Sequence, residues 1–411
     1  EENRTAEIIH CSMILIKGER KMKRIVKVNA ELLVKALGIA ATGGGKGFLL
    51  LIQPGSALVA SCDGTKVGRC HFETESEEGI DEPVILYPVK SFYKTAETIA
   101  KFTDTICVEL KDSYIELSDA QGGSRVRVAL NESDVMFDLT QEESETAVFV
   151  SLKTEDFVKL VRSGGAAASK ATDAMKAMFF HVNGSKLELA TKSSPMIAYA
   201  SVETETVKNA EKNETWHPAN DQFLNTVIGN IDGEICQIGF TNLNTVITTE
   251  RGAVYIARRM NLEFKSSVLS IIEMEERDYE AEISKKDLLL GLEVSTVGID
   301  KVPYVVLRTE ESGNLLFESP NGENRMEVIQ KSHKGQLQAR GFSVDIVKTG
   351  VTGCSDTVSY YGMNDKYSAP IHISGKDGNV EYKAVIAPHA MDKKEETKKA
   401  EEKVKTAEKA K

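Results

Sequence analysis

The sequence predicts an α+β protein of three similar domains, each built from two βαβββ-type units, with antiparallel sheets outside and helices on the inner face. The first observation behind this is a short grammar that recurs six times, an alternating strand, a polar capping residue, an amphipathic helix, then two or three strands. It begins at RIVKVNAELLVKAL (24–37) and returns at PVILYPVKSFYKTAETI (83–99), AVFVSLKTEDFVKLV (147–161) and ETWHPANDQFLNTVI (214–228). The last two copies are YEAEISKKDLLLGLE (279–293) and LQARGFSVDIVKTGV (337–351). The second observation is helical periodicity: Leu33, Ala36, Leu37 and Ala40 form one apolar stripe, and Phe92, Ala96, Ile99 and Ala100 another. The third is strand alternation with hairpin signals, since VNGSKLEL, KDGNVEYK and ESGNLLFE each place Asn or Asp beside Gly.

The elements follow in order. Residues 1–21 lack an initiator Met and precede a second start at Met22, behind KGERK, which back-translates to a purine-rich ribosome-binding site; they are expected to be a leader-like or vector-derived segment without a fold. Paired units give domains at 22–144, 145–275 and 276–391, joined through the acidic stretches NESDVMFDLTQEESE and SIIEMEERD. Residues 392–411 alternate in charge with an Ala/Lys/Glu bias, which favours a solvated tail. Six like units in a row predict a quasi-symmetric, curved chain, and two chains would close a ring of twelve units.

Composition narrows the function. A net charge of −11 excludes a protein that coats nucleic acid by bulk charge, though not a local basic surface. The six cysteines (11, 62, 70, 107, 236, 354) form no CxxC pair and no zinc-spaced cluster, so neither metal nor other cofactor is expected, and buried thiols in a reducing cytoplasm are. No stretch approaches the ~20 apolar residues of a membrane span. For catalysis the nearest constellation is Cys62 with His71 and Asp63 in one predicted hairpin. GGGKG (43–47) follows a helix and lacks the Lys-Ser/Thr spacing of a phosphate loop, so a connecting loop is expected.

With these units in place, the chain resembles the bacterial β sliding clamp, the processivity subunit (DNA polymerase III beta subunit) of the replicative polymerase, over nearly all of 22–391. LVASCDGTKVGRCHFE (58–73) is similar to that family's first-domain strand and hairpin, LATKSSPMIAYA (189–200) to its second-domain VATDGHRLA segment, and ARGFSVDIV (339–347) to its third-domain Gly-Phe-Asn motif. The closing YKAVIAPHAM (382–391) is similar to the family's end. The departures are Thr191-Lys-Ser-Ser-Pro-Met196 for Thr-Asp-Gly-His-Arg-Leu, Phe264-Lys-Ser-Ser-Val268 for Phe-Pro-x-Tyr-Arg, and Ala387-Pro-His-Ala-Met391 for Met-Pro-Met-Arg-Leu. They mark a divergent relative.

The resemblance implies a non-catalytic DNA clamp fold that closes as a homodimer around double-stranded DNA. It further implies partners, a DNA polymerase and an ATP-driven clamp loader, that dock through short peptides. On the pore-facing helices it points to Lys35, Lys90, Lys94, Lys159, Arg162 and Lys348 as DNA contacts, with Lys46 from the glycine loop. It points to a peptide groove lined by Val385, Ile386, Ala387, Pro388 and Met391, with Thr191, Met196 and Pro370 opposite. The dimer edges are expected near ICVELKD (106–112) and NLLFESP (314–320). Two other readings remain open: a clamp-fold protein that binds replication or repair partners without encircling DNA, and a hydrolase using Cys62 and His71.

Overall fold

A computed structural model describes residues 23–131, 148–170, 176–209, 215–265, 267–299, 304–364 and 368–389. The expected leader 1–21, the join around 132–147, Met391 and the tail 392–411 lie outside the described residues.

The βαβββ unit is present six times. Helices α1 (Ala30–Ala41), α2 (Ser91–Ile99), α3 (Thr154–Gly164) and α4 (Asp221–Ile228) serve the first four units. A short helix, α5 (Ser267–Ile272), lies between the second and third domains, and α6 (Lys285–Val294) and α7 (Val344–Gly350) serve the last two units. Each unit opens on a strand, and in three units, those of α1, α4 and α6, the residue at its end caps the helix with its side chain. The Asn29 side chain accepts the Leu32 N–H at 3.1 Å, and Asn220 accepts from Phe223 at 2.9 Å. Such caps satisfy amides that have no partner inside the helix. The predicted stripes are the buried faces: Leu33, Ala36, Leu37 and Ala40 of α1, and Phe92, Ala96 and Ile99 of α2.

Four sheets run through the described residues, two of nine strands, one of five and one of four. One nine-stranded sheet joins the first domain to the second where Lys66–Glu73 pairs with Ala253–Arg258. The other joins the second to the third where Met196–Glu203 pairs with Val380–Ile386. In both cases the joining strand is the last of its unit. The last strands of the second and fifth units, Arg125–Ala129 and Arg325–Val328, each pair on one side only.

That pattern corrects the expected dimer edges. Strand Thr105–Leu110 lies between Arg24–Asn29 and Tyr114–Asp119, with Val108 in the core at 3% exposure. Strand Leu315–Glu318 lies between Val305–Thr309 and Arg325–Val328. Ile106, Val108 and Leu110 are buried on the first and the consecutive Leu315, Leu316 and Phe317 on the second, while the charged strands beyond them take the edge.

Helix α5 was not expected; its stretch reads as an acidic loop. Val268 and Ile272, four residues apart, are buried with Ile197 and Val385. Alternation fixes the geometry: Met196, Ala198, Ala384 and Ile386 belong to the main core, while Ile197 and Val385 face α5 on the opposite side of the same sheet.

Candidate functional site

The glycine loop after α1 is held by packing. A side chain at Gly43 would meet the Ser61 carbonyl at 1.9 Å, and Gly44 has φ +75°. The Ser61 hydroxyl accepts the Gly45 N–H at 3.1 Å and donates to the Gly47 carbonyl at 2.9 Å. Glycines are needed here because strand and loop backbones touch. Lys46 projects, exposed, from this fixed loop.

The other expected DNA contacts divide in two. Lys90 and Lys94 on α2, and Arg162 on α3, are exposed and form no ion pair among the described residues. Lys35 lies 2.8 Å from Asp232. Lys159 lies 2.6 Å from Glu155 and 3.5 Å from Asp377, and Lys348 lies 3.4 Å from Glu293. Glu155 and Lys159 are spaced i,i+4 on α3, whereas the other three pairs join residues far apart along the chain and leave no local trace.

The expected groove residues fall on different surfaces. Thr191 is fully buried and donates its hydroxyl to the Gly164 carbonyl at 2.6 Å. Met196 and Ile386 are cross-strand partners at 1% and 0% exposure, on the helix side of the sheet. Val385 faces the other way, under α5. Val385 and Ile386 therefore cannot line one groove, because neighbouring residues of a strand point to opposite faces. On accessible surface are Ala387, exposed, and Pro388 and Pro370, half-buried. The terminal hook has a structural role as well. The Ala387 N–H donates to the Pro195 carbonyl at 2.9 Å and the His389 N–H to Gly341 at 2.8 Å, while the His389 ring stacks on Tyr304 at 4.9 Å. It staples the nine-stranded sheet to the four-stranded one.

Beneath the interdomain linker two aromatic stacks were missed by the sequence reading. Trp216 stacks on Phe264 at 4.1 Å and on His181 at 5.0 Å, and His181 Nδ1 lies 2.8 Å from Glu188. Farther along, Arg277 lies over Tyr361 at 5.3 Å, and Tyr361 stacks on His372 at 4.9 Å. Neither His372 ring nitrogen has a partner among the described residues, and burial, then Lys383, lower its pKa to about 4. Burial also lowers His217 to about 3. A histidine whose folded pKa is depressed stabilises fully above its unfolded value of about 6.5 and loses that contribution as pH falls toward the folded value. Stability should therefore decline below pH 6.5, by up to about 1.4 kcal/mol per pH unit per histidine. Urea titrations from pH 7.5 to 4.5 should show this slope, and His372→Gln should flatten it.

The hydrolase constellation does not assemble. Cys62 pairs across its hairpin with Val67 and His71 with Leu58, which places them about 13 Å apart along the strands. Asp63 spends its Oδ1 on the Thr65 and Lys66 amides at 2.8 and 2.9 Å. Burial pushes the thiols of Cys70, Cys236 and Cys354 up to about 12, far from nucleophilic. Among the described residues no cluster of three or more His, Cys, Asp and Glu could hold a metal, and no helix is long and apolar enough to cross a membrane.

Three like domains joined by continuous sheets, with helices on one face, are the fold of DNA polymerase sliding clamps. Solved structures with this fold include the DNA polymerase III beta subunit of Thermotoga maritima, at 14% identity and TM-score 0.74. They also include the sliding clamp of Bacillus subtilis, at 12% identity and TM-score 0.75. A sliding clamp of Pseudomonas aeruginosa bound to griselimycin matches at 14% identity and TM-score 0.74. Each comparison covers 90% of this chain and 100% of the other. No protein-family model and no curated protein sequence matches the chain. Its likeness to sliding clamps is one of fold.

Proposed function

We propose that two copies of this chain close head to tail into a ring that encircles duplex DNA and tethers a DNA polymerase, without catalysing a reaction itself. The observation that carries this reading is the pair of one-sided edge strands. Joining Arg125–Ala129 of one copy to Arg325–Val328 of the next would merge the five- and four-stranded sheets into a third nine-stranded sheet, matching the two inside the chain. The edges are complementary in part, since Arg325 on the second strand lies 3.7 Å from Glu310 of its own sheet. Arg125 and Arg127 are exposed on one, and Glu323 and Glu327 beside or on the other. Exposed apolar residues collect at the same two ends: Phe102 and Val126 at the first, Leu290, Val297 and Ile329 at the second. Helix α2 packs on the 125–129 strand and α6 on the 325–328 strand, so these residues would meet across the joint.

A ring of this kind holds DNA through phosphate contacts without reading bases, which permits sliding. Polymerase and loader would dock by short peptides on the outer face at the joint of the second and third domains, where Ala387, Pro388 and Pro370 are accessible beside the linker. The second reading, a partner-binding clamp fold that does not encircle DNA, draws support from the carboxylates paired with Lys35, Lys159 and Lys348. Topology separates the two. Protein assembled with clamp loader and ATP on a nicked circular plasmid should stay with the circle through gel filtration and be released when the circle is linearised. Equal retention on linear DNA, or none on either, would favour the second reading.

A further inference from the structure

The cations of the helical face form two classes. In the first, each lysine is matched by a carboxylate, and two of the matches cross a domain joint. Lys35 on α1 reaches Asp232 of the second domain, which Arg251 also approaches at 3.5 Å. Lys159 on α3 lies between Glu155 and Asp377, the latter in a hairpin of the third domain. The same corner is tied by Asn379, whose side-chain amide donates to Asp156 at 3.0 Å. With Lys348 and Glu293, these ion pairs match four cations with four carboxylates, and Asp156 adds a fifth carboxylate at the Lys159 corner, so the clusters present no net positive charge.

The positions are equivalent. Lys35 and Lys159 are each the sixth residue of the first helix in their domain. The sixth residue of α6, the first helix of the third domain, is the exposed Leu290, where the chain has no internal joint to tie. The second class, exposed and without an ion pair among the described residues, includes Arg162 on α3 and Lys286 on α6; within it Lys90, Lys94 and Lys101, spaced four and seven residues apart, lie on one stripe of α2 and its flanking turns. All three are exposed and form no ion pair among the described residues, although Glu97 stands one turn from Lys101.

A lysine with a carboxylate 2.8 Å away acts outward as a dipole, whose field falls off faster than that of a charge. A phosphate would have to displace that carboxylate to gain the contact. We infer that Lys35 and Lys159 are latches across the two internal joints, not phosphate contacts, and that duplex phosphates run along the Lys90–Lys94–Lys101 stripe of α2. The track rests on the encirclement reading above; the latches do not.

Two measurements on the full chain separate them. Without DNA, Lys35→Met and Asp232→Asn, and likewise Lys159→Met and Asp377→Asn, are combined in double-mutant cycles read by urea midpoint. Each single change should lower the midpoint, and the double change should lower it no further than the worse single one. Additive losses would overturn the latches. With a labelled duplex between 50 and 200 mM salt, Lys94→Gln and Lys101→Gln should each reduce the slope of log affinity against log salt by about one unit. Lys35→Met and Lys159→Met should leave that slope unchanged. Equal losses from both groups would overturn the partition. A parent protein that does not associate with the duplex at any of these salt concentrations would overturn the track, leaving the loader-assembled circle to decide encirclement and the cycles to decide the latches.

Discussion

Phe102→Asp and Val297→Asp should each convert the protein from dimer to folded monomer. Phe102 is 85% exposed and Val297 67%, so neither contributes to the core of its own chain, and the melting profile of the monomer should change little. At the proposed joint both become buried, Phe102 after α2 of one copy and Val297 after α6 of the other. A large apolar residue at the centre of an interface is worth on the order of 2 kcal/mol or more. A carboxylate in its place adds a desolvation cost. Dimer affinity should fall at least about thirtyfold for each change. Sedimentation equilibrium across micromolar concentrations measures this directly. A dimer of unchanged affinity would place the joint elsewhere.

Ile386→Asp should unfold the joint between the second and third domains instead of selectively removing a partner. The side chain is wholly buried, pairs across strands with Met196 and Ile371, and would lie 2.5 Å from a side chain added at Gly350. An unpaired carboxylate there has no partner and no water, so a loss on the order of 4–5 kcal/mol is expected. Urea unfolding should show the midpoint collapse, with a separate transition for the remaining domain. Ala387→Asp, one residue along and exposed, should keep the parent midpoint and weaken binding of a polymerase-derived peptide. If Ile386→Asp keeps the parent midpoint, the strand does not sit as described.

The six units were legible because apolar stripes and hairpin signals recur from repeat to repeat, supported by caps at Asn29, Asn220 and Ser284, from Leu33 through to the Asp377–Gly378 turn. The edges were misplaced although a signal existed: RVRVA carries two arginines, as exposed edge strands do, whereas ICVELKD buries Ile106, Val108 and Leu110. The groove was misassigned by treating Val385 and Ile386 as neighbours on one surface, which the two-residue period of a strand forbids. Helix α5, the uncharged SVLSII, was hidden because it runs into the acidic EMEERD, its only trace being the four-residue spacing of Val268 and Ile272. The pairing of Lys35 with Asp232 and of Lys159 with Asp377 could not be read locally, because it depends on which domains abut.

The ring is the central claim, and native mass tests it most directly. A single chain is 45.1 kDa, and the outer strands Arg125–Ala129 and Arg325–Val328 are the two edges that the proposed ring would join. Native mass spectrometry of the purified chain at micromolar concentration should give one species of twice that mass, with no higher series, because head-to-tail pairing of two copies uses both edges of each. A monomer throughout that range, or an open-ended series of larger species, would contradict the closed two-chain ring.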